Sequence, residues 1–357
     1  MVSSRIFLLF GTADAVGLPE LDGRVGHHGA LGCRKGCSMK GRHKPGSGHY
    51  FAAHLIPNDY SVVECRHADF NFWDFDFQLS LMVYQGNLET LISSTDQNDY
   101  EKNRKLTGLS KPSILSGLNP TCMLPIPLCF TVDIMHLFCL NIGDLFIPLW
   151  RGTFKSDKND DKTTWDWATL TGDIWLHHGQ LVASTTRYFP SSFHRPPQNP
   201  AEKISSGYKA TEYYHYLFGL GPGFFQAVLP KKYWINFCKL IRGVRIVMQR
   251  TLSGKQIQEA HNYMVQFVEE FENIYYQRMV ARLHFCRPSM HSALHTPAEA
   301  LRVGNACLTS QYTMERAIGE LGRGIRQPSD PFGNLSHLAL RRAQINALKS
   351  VCGTGYR

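Results

Sequence analysis

The sequence predicts an α/β protein, with strands buried in a sheet in its first half and helices in its second. Two apolar runs and one periodic pattern predict it. Residues 5–14, RIFLLFGTAD, are a continuous apolar run ending in polar residues, as a strand buried on both faces does. Residues 131–140, TVDIMHLFCL, form a second such run, read as a buried strand that leads into a helix, with Asp133 and His136 inside it. Between 253 and 280, Ile257, Ala260, Met264, Phe267, Phe271 and Ile274 recur at steps of three and four, behind a capping box of Ser253 and Gln256.

The other elements follow in chain order. After the first strand comes a basic stretch rich in Gly, His and Cys, spanning 23–54, which reads as a loop or short strands. Residues 69–84, DFNFWDFDFQLSLMVY, fit strand and helix equally. Residues 93–113 are polar and read as a connection. SDKNDDKTT, 156–164, is a solvated loop, and FPSSFHRPPQNP, 189–200, carries too many prolines for helix or central strand. From 208 onward the chain reads as helical. QYTMERAIGELGRG, 311–324, places Met314, Ile318 and Leu321 on one face beside Glu315, with Gly322 and Gly324 as a stop. The expected division is 1–150, 151–284 and 285–357.

Composition narrows the function classes. The chain has 357 residues, enough for one large or two medium domains. Lys plus Arg number 38 against 29 Asp plus Glu, a net charge of +9 that favours anionic partners such as nucleic acid. Ten cysteines do not make a disulfide scaffold of a chain this long, and most lie among apolar neighbours. The amino-terminal IFLLF is too short for the apolar core of a signal peptide. Residues 124–150 are long enough to cross a bilayer, but three prolines with Asp133, His136, Asn141 and Asp144 argue against it.

Two sets of side chains carry candidate chemistry. Cys33 and Cys37, with His43 and His49, have the ligand types of a structural zinc site; His27, His28 and His54 are alternative donors. A histidine-rich basic loop near phosphate is the competing reading. Lys35, Lys40, Arg42, His43 and Lys44 share that loop, and Arg316, Arg323, Arg326, Arg341 and Arg342 form a second basic set; both are candidates for DNA contacts or solvated faces. The second set is the acids. Asp14 ends the first strand, Asp133 lies in the second, and Glu315 sits on the short helix. Each alone reads as a turn former or cap. Converging, they would suit Mg²⁺ or Mn²⁺, two of which activate a nucleophile and stabilise a leaving group at a phosphodiester.

At DIMHLFCLNIGDLFIPLWRGT the sequence resembles the DDE transposases of CACTA-type (En/Spm-like) DNA transposons, in the form common in basidiomycete fungi. The resemblance extends to GTADAVGLPELDGRVGHHGALGCRKGC, SFHRPPQNPAEKISSGYKATEYYHYLFGLGPGFF, LPKKYWINFCKLIRGVR and YTMERAIGELGRGIRQPSDPFGNLSHLALRRAQINAL, nearly the whole chain. It implies an RNase H-like core, a mixed sheet flanked by helices, with a mostly α-helical insertion between the second Asp and the Glu. It matches Asp14, Asp133 and Glu315 to the catalytic acids, and His136 to the D-x-x-H histidine. That histidine would orient the aspartate or approach the scissile phosphate; a core histidine satisfied by backbone is the other reading. The implied activity is metal-dependent cleavage and strand transfer at transposon ends with two Mg²⁺ or Mn²⁺ ions. The implied partners are transposon-end and target DNA in the nucleus, with a homo-oligomer compatible and no membrane. The family ordinarily has a longer amino-terminal part, so the resemblance implies an amino-terminally truncated copy. A decayed or domesticated, non-catalytic DNA-binding or interaction protein is the alternative.

Overall fold

The computed structural model describes residues 7–73, 80–193, 195–325 and 329–352, and over these the fold is predominantly helical. The elements are α1 (Gly17–Asp22), the strand pair β1 (Arg42–His43) and β2 (Tyr50–Phe51), then α2 (Leu81–Ile92) and α3 (Gln97–Thr107). A π-type helix, Met135–Ile142, runs into α4 (Gly143–Trp150), followed by α5 (Gly172–Ser184), α6 (Pro200–Lys203) and α7 (Ala210–Tyr213). Tyr214–Leu220 is again π-type and continues as α8 (Gly221–Gln226), before α9 (Lys231–Val247), α10 (Gly254–Phe271) and the π-type turn Glu272–Tyr276. Then come α11 (Pro288–Val303), α12 (Tyr312–Gly324) and α13 (Pro331–Cys352). The contacts divide the chain into two compact units, the first ending at Ser310 and the second starting at Gln311.

The expected α/β core with an RNase H-like mixed sheet is not what forms. Among the described residues the only sheet is the antiparallel pair β1–β2, two residues long on each side. The first apolar run is extended, but Phe7, Leu9 and Phe10 are exposed, so it is not buried on both faces. It runs parallel to 122–131 through isolated bridges, Leu8 to Met123 and Gly11 to Phe130. Leu8 N–H donates to Cys122 O, Leu124 N–H to Leu8 O, Gly11 N–H to Cys129 O and Thr131 N–H to Gly11 O. Pro125 and Pro127 stand between these bonds and lack the N–H groups a continuous ladder needs.

The second run departs from strand for a different reason. Past Asp133 it holds Met, Leu, Phe and Cys, residues at home in a buried helix, and it is helical from Ile134. Asp133 sits just ahead of that helix. Its Oδ1 accepts from Met135 N–H at 3.1 Å and its Oδ2 from His136 N–H at 3.2 Å, as a capping carboxylate does.

Elsewhere the helical readings hold. In α10, Ser253 accepts from Gln256 N–H at 3.3 Å and Gln256 returns the bond at 2.9 Å. Its periodic residues Ala260, Met264, Phe267 and Phe271 are buried against α9, where Gly243 lets Met264 pack onto the backbone; a Cβ there would lie 2.8 Å from Met264 Cε. The core centres on Trp150. Its ring lies 4.6 Å from Phe225 and 5.1 Å from Phe237, and its Nε1 donates to Tyr275 Oη at 2.9 Å. Each fully buried Phe or Leu of this core contributes about 1.5–3 kcal/mol. Residues 93–113, expected as a connection, contain α3 instead, capped by Asp96 and ended by Gly108. In the second unit, α12 forms where its period predicts, but Met314 and Ile318 are exposed, not packed inward. Arg342 of α13 pairs with Glu320 of α12 at 3.4 Å.

Candidate metal centre and acidic cleft

Cys33 and Cys37 lie on a tight loop. Gly36 N–H donates to Cys33 O at 3.0 Å, and Gly36 has φ +69°, where a side chain would be strained and would strike the Arg24 guanidinium. The second pair of donors comes from α11, which opens on Pro288 at its first turn. His291 and His295 are one turn apart, so both rings project from one face. The loop and helix bring all four side chains together, each buried, with their ligating atoms within 4.8 Å of one another. Cys33 Sγ is 3.3 Å from His295 Nε2, Cys37 Sγ is 3.1 Å from His291 Nε2, and the two Nε2 atoms are 3.1 Å apart. Zinc–nitrogen bonds of about 2.0–2.1 Å and zinc–sulfur bonds of about 2.3 Å give a tetrahedron with edges of roughly 3.3–3.8 Å. Three donor–donor distances, 3.1–3.3 Å, lie near the short edge of that tetrahedron, the whole set lies within 4.8 Å, and a buried S₂N₂ set suits zinc over harder cations. This group can hold a metal ion such as zinc.

Partners behind the ligands fix their orientation. His291 Nδ1 lies 3.1 Å from His54 Nε2, and His54 Nδ1 lies 2.8 Å from Glu272 Oε1. Glu272 also accepts from His54 N–H at 2.9 Å and from Leu55 N–H at 2.8 Å. The carboxylate at the end of this row accepts a hydrogen bond from His54 Nδ1–H, which leaves His54 Nε2 to accept one from His291 Nδ1–H. His291 Nε2 then carries the lone pair that faces the thiols. Burial pushes the His291 ring down to about 4, so it is neutral near pH 7, as a ligand must be. Burial, then the hydrogen bond with Cys33, pushes the Cys37 thiol well up. Burial acts the same way on Cys33, but the Cys37 hydrogen bond and the flanking His295 and His291 outweigh it and hold Cys33 well below the usual thiol range.

The thiols are therefore joined by His291 and His295, not by the nearer His43 and His49. His43 bonds through Nε2 to Glu64 at 3.2 Å and through Nδ1 to Lys44 O at 2.9 Å. His49 stacks between His28 at 3.6 Å and Phe51 at 4.4 Å. The sequence signal for this second pair was the H-x3-H of HSALH inside a helical period; His54 and Glu272 carried no such signal.

Two of the three acids, Asp14 and Asp133, line a neighbouring cleft of about 330 Å³, whose walls also include His136, Arg34, Arg287 and His49. Asp14 Oδ1 accepts from Val16 N–H at 3.1 Å and Gly17 N–H at 2.6 Å, closing the turn into α1. His136 is held on Asp133 through a short Nδ1 to Oδ2 contact. Burial pushes His27, His28 and His49 of the wall down, His27 to about 4, while Asp14, Asp133, Arg34, Lys35 and Arg287 line the same wall. Among the described residues, the acids do not close on one point as the four Cys and His donors do. Asp14, Asp133 and His136 share the first unit; Glu315 is exposed on α12, in the second.

Most of the expected DNA contacts in the loop have internal partners. Lys35 is buried, pairs with Glu299 at 3.0 Å and donates to Phe130 O at 2.9 Å. Arg42 is fully buried and donates to the carbonyls of Cys65, His67, His54 and Ala68. Lys44 pairs with Asp157 at 2.6 Å, and Lys40 donates to Glu64 O at 3.0 Å. A buried cation needs such partners, which is why these side chains turn inward. Arg316 is exposed on α12, and Arg326 lies outside the described residues.

Among the described residues, no helix is long and apolar enough to cross a membrane. Comparison with protein-family models, with curated proteins and with solved structures finds no match to this chain.

Proposed function

We propose that the protein cleaves DNA phosphodiesters with the help of divalent cations, as the CACTA-type transposases it resembles do, and that the Cys and His centre is a structural zinc site beside the cleft. One observation carries the reading: Asp14 and Asp133, far apart in sequence, wall the same cleft, with His136 fastened to Asp133. Their oxygens are the donors Mg²⁺ or Mn²⁺ takes, and such ions would supply Lewis-acid stabilisation and an activated water. Asp14 and Asp133 are the two acids of the cleft on which the proposal rests; Glu315, which the resemblance matches to the third acid, lies on α12 in the second unit. Water attacks phosphorus, the P–O3′ bond breaks, and the 3′-oxygen leaves as a hydroxyl that can attack a second strand. The net charge of +9 agrees with DNA as partner, and with it a nuclear location.

A second reading has its own support. Asp14 and Asp133 both accept backbone N–H groups as helix caps, so each is satisfied without a metal. In that reading the protein binds DNA or another partner without turnover. A plasmid-nicking assay on the zinc-loaded full chain with Mn²⁺ separates the two. The proposal expects nicking that falls at least about 100-fold in Asp133→Asn and in Asp14→Asn, beyond the usual loss on removing a mere supporting partner. Folded wild type that binds DNA in a salt-sensitive way and never nicks it favours the second reading.

A further inference from the structure

We infer that the Cys and His centre is the clamp that positions both acids of the cleft, acting through Arg34 and Lys35, the two cations between its thiols. The assignment of the acids rests on the reading above; the clamp itself rests on contacts. Arg34 reaches the first acidic segment: its Nη1 donates to Asp14 O at 2.9 Å and its Nη2 donates to Ala15 O. Lys35 reaches the second, donating to Phe130 O at 2.9 Å, three residues before Asp133. Neighbouring residues of one short loop thus hold the backbone that carries each carboxylate.

The other half of the metal centre grips the same backbone. On α11, beyond His295, Arg302 donates to Leu128 O at 2.6 Å and to Phe130 O at 3.0 Å. Glu299 of α11 pairs with Lys35 at 3.0 Å and with Arg302 at 2.9 Å. The loop and α11 are therefore joined twice, once through the four metal donors and once through Lys35 and Glu299, with the Phe130 carbonyl held between them. The acidic segments are tied to each other by Gly11 N–H to Cys129 O at 2.7 Å and Thr131 N–H to Gly11 O at 3.0 Å. Residues 8–14 and 122–131 have no continuous sheet to hold them, so beyond their four mutual backbone hydrogen bonds their placement rests on these side-chain anchors. A metal that fixes the loop against α11 fixes both anchors at once. Arg34 and Lys35 are positioning residues, and neither is available as a phosphate contact while it serves the clamp.

Amide hydrogen exchange on the zinc-loaded full chain tests this, beside zinc content and the nicking assay. Arg34→Gln is expected to keep its zinc and raise exchange at least about tenfold in 8–17, and Lys35→Met to do so in 122–133, while α9 and α10 stay protected. Arg34→Lys and Lys35→Arg should restore much of the protection. Stripping zinc from wild type with a chelator should loosen 27–41 and both acidic segments together. If Lys35→Met does not fold, the chelator experiment decides. The inference is overturned if zinc-free protein keeps 8–17 and 122–133 protected, or if exchange rises equally throughout the chain. Wild type that fails to nick DNA yet shows the expected exchange pattern removes the proposed activity and leaves the clamp standing.

Discussion

Glu272→Gln is the most informative single substitution in the metal centre. The carboxylate ends the row Glu272–His54–His291 and meets three N–H donors at 2.8–2.9 Å, two on Oε1 and one on Oε2. Glutamine is nearly the same size but has one accepting oxygen. If that oxygen faces His54, the amide NH₂ faces Leu55 N–H, and a buried donor goes unsatisfied at a cost of about 1–3 kcal/mol. If it faces Leu55, His54 loses its acceptor and the tautomer row reverses, taking the lone pair from His291 Nε2. Supporting partners of this kind carry about 10–100-fold in metal affinity, or roughly 1.4–2.8 kcal/mol. Zinc affinity, measured by competition with a chromophoric chelator, should fall by that factor, and the zinc-free protein should also lose stability in urea. Co²⁺ substituted at the centre should show altered d–d bands. An unchanged zinc affinity with lowered zinc-free stability would refute the tautomer argument and leave Glu272 as a backbone anchor only.

Three further outcomes follow from buried polar groups. Arg42→Met should cost at least about 3 kcal/mol in urea unfolding, since four carbonyls lose a charged donor, and should leave the salt dependence of DNA binding unchanged; a stable variant with a shallower salt slope would make Arg42 a phosphate contact after all. Arg282→Met strands the fully buried Asp160, whose Oδ1 lies 2.8 Å from Arg282 Nε, and should cost about 3–5 kcal/mol; a loss under 1 kcal/mol would mean Trp165 alone satisfies the carboxylate. Burial pushes the His178 ring down to about 4, below the unfolded value of about 6.5, so the folded chain holds fewer protons there. Its contribution, about 3 kcal/mol, is whole above pH 6.5 and is lost as pH falls toward 4; His178→Gln should flatten urea stability over that window, and an unchanged slope would count against the burial effect.

The parts of this fold legible in the sequence are those set by local physics. The period of three and four in α10 and its capping box needed no tertiary information, and neither did α12 or the proline-rich connection at 189–200. The second apolar run misled because a buried strand and a buried helix look alike in composition, and the first because its apolar side chains Phe7, Leu9 and Phe10 are exposed. Length and β-branching were the available arbiters, and past Asp133 the second run has one β-branched residue before Ile142, Ile134. Pro125 and Pro127 were in view, but their effect on the register opposite Leu8 and Gly11 appears only once the segments are paired. The metal centre was half legible. Cys33 and Cys37 stood out by spacing, whereas His291 and His295 lie on a helix far along the chain, where no local pattern connects them to the loop.

The cations of the loop find partners inside the protein. Zinc held by two thiolates and two neutral imidazoles would have no net charge, so a zinc-loaded centre would need no cation beside it. Lys35, expected as a DNA contact, then has no role at the centre itself. Lys35 and its neighbour Arg34 act elsewhere: Lys35 answers the buried Glu299 and donates to Phe130 O, and Arg34 donates to Asp14 O, which also accepts from Leu18 N–H. Asp133 follows the same logic. Two backbone N–H groups and His136 hold its carboxylate in one orientation at the cleft wall. A cap of this kind does not compete with chemistry, because a carboxylate oxygen has lone pairs for both, and a metal ligand gains from having its rotamer fixed beforehand. Capping and ligation diverge only in what asparagine does: Asp133→Asn keeps one capping oxygen and most of the fold's stability, but removes the charge that a divalent cation requires.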